Sequence, residues 1–185
     1  MLPGVPYAIS AKFAFPERPV IAFSGDGAFQ MLGMNELLTV KAHADELLAK
    51  NPTLIFAVLV NRDLNQVSFE QRAQSGDPKN PVTQTLPYVP AAEFAELLGL
   101  EGIRVESPED VVPAWKRALA ADGPVLIEFI TDPQIVALPP HVRFEQLKKT
   151  VTALASGDED ATGIATKGFK GKLAEVKEHL PGAGS

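Results

Sequence analysis

Two short polar clusters hold the residues best suited to chemistry, and each follows an apolar run. Ser24-Gly25-Asp26-Gly27 follows Val20-Ile21-Ala22-Phe23, and Asn61-Arg62-Asp63-Leu64-Asn65 follows Leu54-Ile55-Phe56-Ala57-Val58-Leu59-Val60. The first run is β-branched and aromatic, and the two glycines after it permit backbone angles that other residues avoid. The second shows no alternation, which is the pattern of a strand buried on both faces of a parallel sheet. Ligands of open parallel sheets bind outside the carboxyl ends of the strands, so Asp26 and Asn61 converge on one site if their strands are neighbours. One carboxylate, one amide oxygen and a loop carbonyl make an all-oxygen donor set suited to Mg²⁺, which completes its octahedron with phosphate and water.

The elements that must position these clusters follow from periodicity and punctuation. A helix from Pro6 to Phe15 is closed by Pro16 and Pro19. From Phe29 to about Lys50, Met31, Met34, Leu37, Leu38, Val40, Ala44, Leu47 and Leu48 recur at helical spacing. They predict one helix over the sheet, with Met31 and Met34 in the core and His43 on the solvated side. Gln66 to Val89 is rich in Gln, Ser, Gly, Asp, Asn and Pro and reads as a long loop, functional or mobile; Glu70 and Arg72 are candidates to touch substrate or a neighbouring chain, with a surface ion pair the favoured role. Pro90–Leu98 is a short helix stopped by Gly99, and Ile103–Glu106 is a brief strand. Ser107-Pro108-Glu109-Asp110 opens a helix to about Ala121 that Trp115 anchors on the sheet. Pro124–Thr131 is the last strand, and Asp132-Pro133 a turn. Beyond it, a helix from Val142 to about Ser156, the acidic turn Gly157-Asp158-Glu159-Asp160 and a Lys/Glu helix ending near Pro181 are expected. Lys167, Lys170, Lys172 and Lys177 form a solvated face on this reading.

Composition narrows the function classes. The chain has 185 residues, 45% hydrophobic and 22% charged, a soluble globular balance for an α/β domain of ordinary size. Its net charge of −6 without a basic cluster argues against nucleic acid or an acidic membrane surface as partner. Without cysteine there is no disulfide, thiolate zinc site or catalytic thiol. No run approaches a membrane span and no cationic leader precedes a signal core, so the expected location is cytoplasmic.

Gly25-Asp26-Gly27-Ala28, Asn35-Glu36-Leu37-Leu38-Thr39 and Val58-Leu59-Val60-Asn61-Arg62-Asp63-Leu64 together resemble the diphosphate-binding domain of thiamine diphosphate enzymes. The acetolactate synthase and pyruvate oxidase group is the nearest in motif. The resemblance runs from about Pro3 to about His141 and implies a three-layer αβα fold with a central, mostly parallel sheet. It implies thiamine diphosphate and Mg²⁺ as cofactors. Asp26 would bind the metal through its carboxylate, Asn61 through its side-chain oxygen and Asp63 through its backbone carbonyl. Gly27 and Ala28 would meet the diphosphate through their backbone N–H groups, Gly25 would bind the cofactor beside them, and Leu64, Asn65 and Gln66 would line it from the second loop. Two departures stand out: Val60 replaces the first Asn of the usual pair, and the interval from Asp26 to Asn61 is longer than usual by roughly two helical turns.

The resemblance divides the chain into a cofactor-binding domain, residues 1–141, and a helical extension, 142–185. It implies a parent enzyme that decarboxylates, carboligates or oxidises a 2-oxo acid such as pyruvate, working with other domains or subunits and as a homo-oligomer. Relatives carry the cofactor-activating glutamate far upstream, so the chain reads as a carboxyl-terminal domain that binds and does not turn over alone. A non-catalytic binding or regulatory module with the same fold is the alternative. A nucleotide binder is disfavoured, because no G-x-G-x-x-G or Walker pattern follows a strand.

Overall fold

The computed structural model describes residues 3–135 and 144–167. In chain order the elements are α1 (Gly4–Ala14), β1 (Val20–Gly25), α2 (Asp26–Leu32), α3 (Glu36–Ala42), α4 (Ala44–Leu48), β2 (Leu54–Val60), α5 (Asn65–Gln74), α6 (Pro81–Gln84), α7 (Ala91–Leu97), β3 (Glu101–Val105), α8 (Val111–Leu119), β4 (Val125–Ile130) and α9 (Phe144–Ala155). These residues fall into two compact units, one of 3–62 with 87–131 and one of 63–86 with 132–135 and 144–167. The expected helix ending near Pro181 and three of the four lysines on its face lie outside the described residues.

The first unit is built on a parallel sheet in the order β1-β2-β4-β3. β2 is central, and its lack of alternation now has a cause. Leu54, Phe56, Val58 and Val60 pack with Val5, Ile9, Phe29, Leu37, Val40, Leu47 and Ala95 on one side. Ile55 and Ala57 pack with Ile103, Val105, Ala114, Ala118 and Ile127 on the other. Both faces are covered, so both parities of the strand are apolar, and each large side chain buried this way contributes about 1.5–3 kcal/mol. The result is the three-layer αβα arrangement, with α1 to α4 and α7 on one side and α8 on the other. Gly102 is where β3 passes closest to α7, since a Cβ there would lie 2.3 Å from the Ala92 carbonyl oxygen.

The segment from Phe29 to Lys50 is not the single helix expected. α2 ends at Gly33, and His43 leaves helical geometry with φ −117° and ψ 19° between α3 and α4. The two breaks re-aim the apolar residues, so Leu37, Val40 and Leu47 are buried while Met31 is 52% exposed. Periodicity alone placed Met31 in the core because it assumed one continuous 3.6-residue register.

Glu128 is a carboxylate buried in the middle of β4. It accepts from the Tyr88 hydroxyl at 2.8 Å and from the Ala92 N–H in the first turn of α7 at 3.0 Å. Burial, and then the Glu128 carboxylate, push the Tyr88 hydroxyl above its ordinary pKa, which keeps it a donor. Arg104 in turn donates to the Tyr88 oxygen at 2.7 Å.

In the second unit, the stretch expected as a loop contains α5 and α6. The buried face of α5 is Ser68, Phe69, Arg72 and Ala73, half of it polar, so the sequence shows no apolar stripe. Arg72 is 1% exposed and does not pair with Glu70. Its Nε and Nη2 grip Asp158 at 2.7 and 2.8 Å, and Nη2 also reaches Asp160 at 3.1 Å. Lys79 pairs with Asp63 and with Glu159, the latter at 2.9 Å.

Two outcomes follow. Replacing Glu128 by Leu strands the Ala92 N–H and should lower stability by about 2 kcal/mol in urea unfolding, with Glu128→Gln closer to wild type. Burial pushes the Asp158 carboxyl up, but Arg72 and the N–H groups of Lys79 and Asp160 more than offset this and hold it below the usual carboxylate range. A depressed folded pKa contributes stability above the unfolded value, about pH 4, that is lost as the pH falls through the folded one. Amide protection factors in residues 63–86, corrected for the intrinsic exchange rate at each pH, should therefore fall under acid conditions, and Asp158→Asn should remove that pH dependence.

Candidate functional site

The first polar cluster begins α2 directly from β1, and the second begins where β2 ends. The register pairs Gly25 with Leu59, so Asp26 emerges beside the end of β2. Asp26 is buried, and its Oδ1 accepts from the Gly27 N–H at 2.9 Å. Its Oδ2 accepts from the Arg62 N–H at 2.6 Å, and the Asn61 N–H also bonds the carboxylate. These partners are backbone N–H groups rather than cations. Burial accordingly pushes the Asp26 carboxyl above its ordinary pKa, and the N–H groups of Arg62, Gly27 and Asn61 reduce that shift without cancelling it.

Arg62 is the feature that sequence reasoning missed. Its φ is +59°, the left-handed region that a side-chain-bearing residue enters at a cost of about 1–2 kcal/mol. Nothing in the residue type announces this, since Gly or Asn is the usual occupant of that region. At Gly25, by contrast, nothing lies within 4 Å of where a Cβ would stand, so the backbone at the end of β1 is bare.

Of the expected site residues, Gly25, Asp26, Gly27, Ala28 and Asn61 belong to the first unit, and Asp63, Leu64, Asn65 and Gln66 to the second. In the second unit, Asp63 bridges Thr85, and its carboxylate accepts from Ser68 Oγ at 3.1 Å. The Leu64 N–H donates to the Gln84 carbonyl at 2.8 Å, Asn65 Nδ2 to the Pro133 carbonyl at 2.5 Å and Gln66 Nε2 to Glu70 at 3.1 Å. The Gly27 N–H, expected to meet a diphosphate, is engaged by Asp26 itself. Among the described residues no three of His, Cys, Asp and Glu gather into a metal-holding group.

Residues 3–129 match the family described as thiamine pyrophosphate enzyme, C-terminal TPP binding domain. The chain belongs to this family. It is 32% identical over 133 residues to the mitochondrial acetolactate synthase of Schizosaccharomyces pombe, covering 69% of this chain and 18% of that one. It is 28% identical over 133 residues to the catabolic acetolactate synthase of Raoultella terrigena, covering 70% and 21%. The thiamine diphosphate-dependent 4-hydroxybenzoylformate decarboxylase of Rhodococcus jostii superposes with a TM-score of 0.57 at 32% identity, over 70% of this chain and 23% of its own. The chain thus spans about a fifth of the relatives it matches.

The donor chemistry fits the family's cofactor. A buried carboxylate oxygen at a strand end, bonded among the described residues by backbone N–H groups, is the kind of donor a hard divalent cation takes. Arg62→Gly relieves the left-handed residue without touching its N–H, so it should raise stability by about 1 kcal/mol in urea titration; an unchanged or lower midpoint counts against backbone strain at this corner.

Proposed function

We propose that this domain holds thiamine diphosphate through Mg²⁺ and serves an enzyme acting on a 2-oxo acid such as pyruvate. The observation that carries the reading is the Asp26 carboxylate, fixed at the end of β1 by the N–H groups of Asn61 and Arg62 at the end of β2. That bond places the carboxylate beside the backbone of Asn61, the second proposed ligand.

When bound, the cofactor supplies an electron sink for the carbanion chemistry of 2-oxo acids. The work of this chain is binding and orientation. Asp26 offers a carboxylate, Asn61 a side-chain oxygen and Asp63 a backbone carbonyl, the few protein ligands that Mg²⁺ takes alongside phosphate oxygens. The bare backbone at Gly25 admits close approach, and Gly27, Ala28, Leu64, Asn65 and Gln66 complete the contact set in this reading.

Other domains or subunits belong to the proposal. On the side facing α8, Ile21 and Phe23 of β1 are 44% and 63% exposed, an apolar surface of the kind that partners cover. A homo-oligomer supplies such a cover with the fewest parts. Among the described residues no helix is long and apolar enough to cross a membrane, and the cytoplasmic setting expected from the sequence remains part of the reading. Carboligation, decarboxylation and oxidation all remain outcomes for the parent enzyme.

The chain should gain thermal stability from thiamine diphosphate only with Mg²⁺ present, about 2.7 kcal/mol at a hundredfold excess over Kd. Asp26→Asn, Asp26→Ala and Asn61→Ala should abolish that gain, and the unsubstituted chain given pyruvate, cofactor and Mg²⁺ should release no CO₂. A cofactor effect that survives chelation of the metal, or that persists in all three variants, overturns the assignment.

A further inference from the structure

The second unit contains a buried ionic network that the proposed site does not use. Two cations, Arg72 and Lys79, meet four carboxylates, those of Asp63, Asp158, Glu159 and Asp160. Arg72 and Asp158 form a fork, with two parallel bonds at 2.7 and 2.8 Å between nearly inaccessible groups. The second oxygen of Asp158 also accepts from the Lys79 N–H at 2.7 Å, while the first accepts from the Asp160 N–H at 3.0 Å. One carboxylate therefore ties together α5, the turn before α6 and the acidic turn after α9.

The network reaches the residues proposed to meet the cofactor. Lys79 pairs with the Asp63 carboxylate, and Ser68 Oγ, one helical turn into α5, donates to the same carboxylate at 3.1 Å. Gln84 accepts from Ser68 Oγ at 3.3 Å and from the Asn80 N–H at 2.9 Å, and donates to Gln71 at 2.6 Å. The Leu64 N–H is held by the Gln84 carbonyl. Asp63 and Leu64 are thus braced from Lys79 and Gln84, and α5, which opens with Asn65 and Gln66, is braced at its far end by Asp158.

Arg72, Lys79 and Asp63 lie inside the family match, which ends at residue 129, whereas Asp158, Glu159 and Asp160 lie beyond it. The acidic turn thus braces the family's segment from outside the matched residues. Its removal leaves a buried guanidinium without a partner, a state that folded proteins do not hold without rearrangement.

We propose that Asp158 and Asp160 are positioning residues that clamp Arg72 and Lys79 and so hold Asp63–Gln66 in a cofactor-competent arrangement. This rests on the thiamine diphosphate reading for its functional half and on the network alone for its structural half. A lysine at position 72 cannot form the fork, because an ammonium is a single point donor.

The test uses the whole chain and two readouts, amide exchange by mass spectrometry and the Kd for thiamine diphosphate in Mg²⁺. Asp158→Asn and Arg72→Lys should each speed exchange in α5 about tenfold or more, with exchange in β2 and β4 unchanged. They should also raise the Kd about tenfold, and Asp158→Glu should recover part of both effects. Asp160→Asn, which weakens the two outer contacts to Arg72 and Lys79 and leaves the Asp158 fork intact, gives a milder version of the same pattern if Asp158→Asn is too unstable to purify. Unchanged exchange in α5 overturns the clamp. Faster exchange in α5 with an unchanged Kd overturns its positioning role. If the unsubstituted chain fails to bind thiamine diphosphate, the cofactor reading and the positioning role fall together, and exchange alone decides the clamp.

Discussion

Asp26 Oδ2 lies 2.6 Å from the Arg62 N–H, and that bond exists only because β1 and β2 run parallel in one register. A slip of one residue would turn Asp26 away from the strand end and expose the opposite face of β2. The buried side chains of β2 on both faces prevent that slip, so the core sets the site rather than merely surrounding it. The left-handed conformation of Arg62 is tolerated on the same terms, since the packing of β2 and the acceptor on Asp26 together outweigh it.

Of the four carboxylates buried among the described residues, Asp63 and Asp158 are paired with cations, whereas Glu128 and Asp26 are held by other means. Glu128 has a phenol and the first turn of a helix. Asp158 has a guanidinium fork. Asp26 has backbone N–H groups and no fixed cation among its bonds, and burial raises its pKa where Arg72 lowers that of Asp158. Glu128 and Asp158 are satisfied within the fold. Asp26 differs from Glu128 in its place at the end of a strand, and on the proposed reading that is where a metal would meet it.

What the sequence disclosed depended on whether the burial of an element was written in apolar residues. β1, β2 and β4 were legible because strand burial demands β-branched and aromatic runs, and the GDG and NRD clusters were legible because they end such runs. α5 was not, because its buried face is Ser68 and Arg72 as much as Phe69 and Ala73, and the partner that makes Arg72 a core residue lies 86 positions away. The breaks at Gly33 and His43 were invisible for a different reason: the apolar spacing on either side of each break still fits one helix, and only the packing of Leu37 and Val40 against β2 reveals the change of direction. The backbone hydrogen bonds of Asp26 were not legible at all, since N–H groups leave no mark in residue identity.

The sheet also limits what the site can be on its own. Parallel sheets are normally covered on both faces, and here α8 covers β3 and β4, with Trp115 reaching as far as Phe129 and Phe23 at ring separations of 6.0 and 5.8 Å. Ile21, Phe23 and Leu59 extend beyond that cover. These residues stand on β1 and β2, the two strands whose carboxyl ends carry Asp26 and Asn61. On the proposed reading, any element that covers them is fastened to the strands that aim the metal ligands, so apolar burial and cofactor geometry are coupled through the same backbone. On that reading the proposed oxygen ligands stand at the ends of strands whose outer face is apolar and exposed.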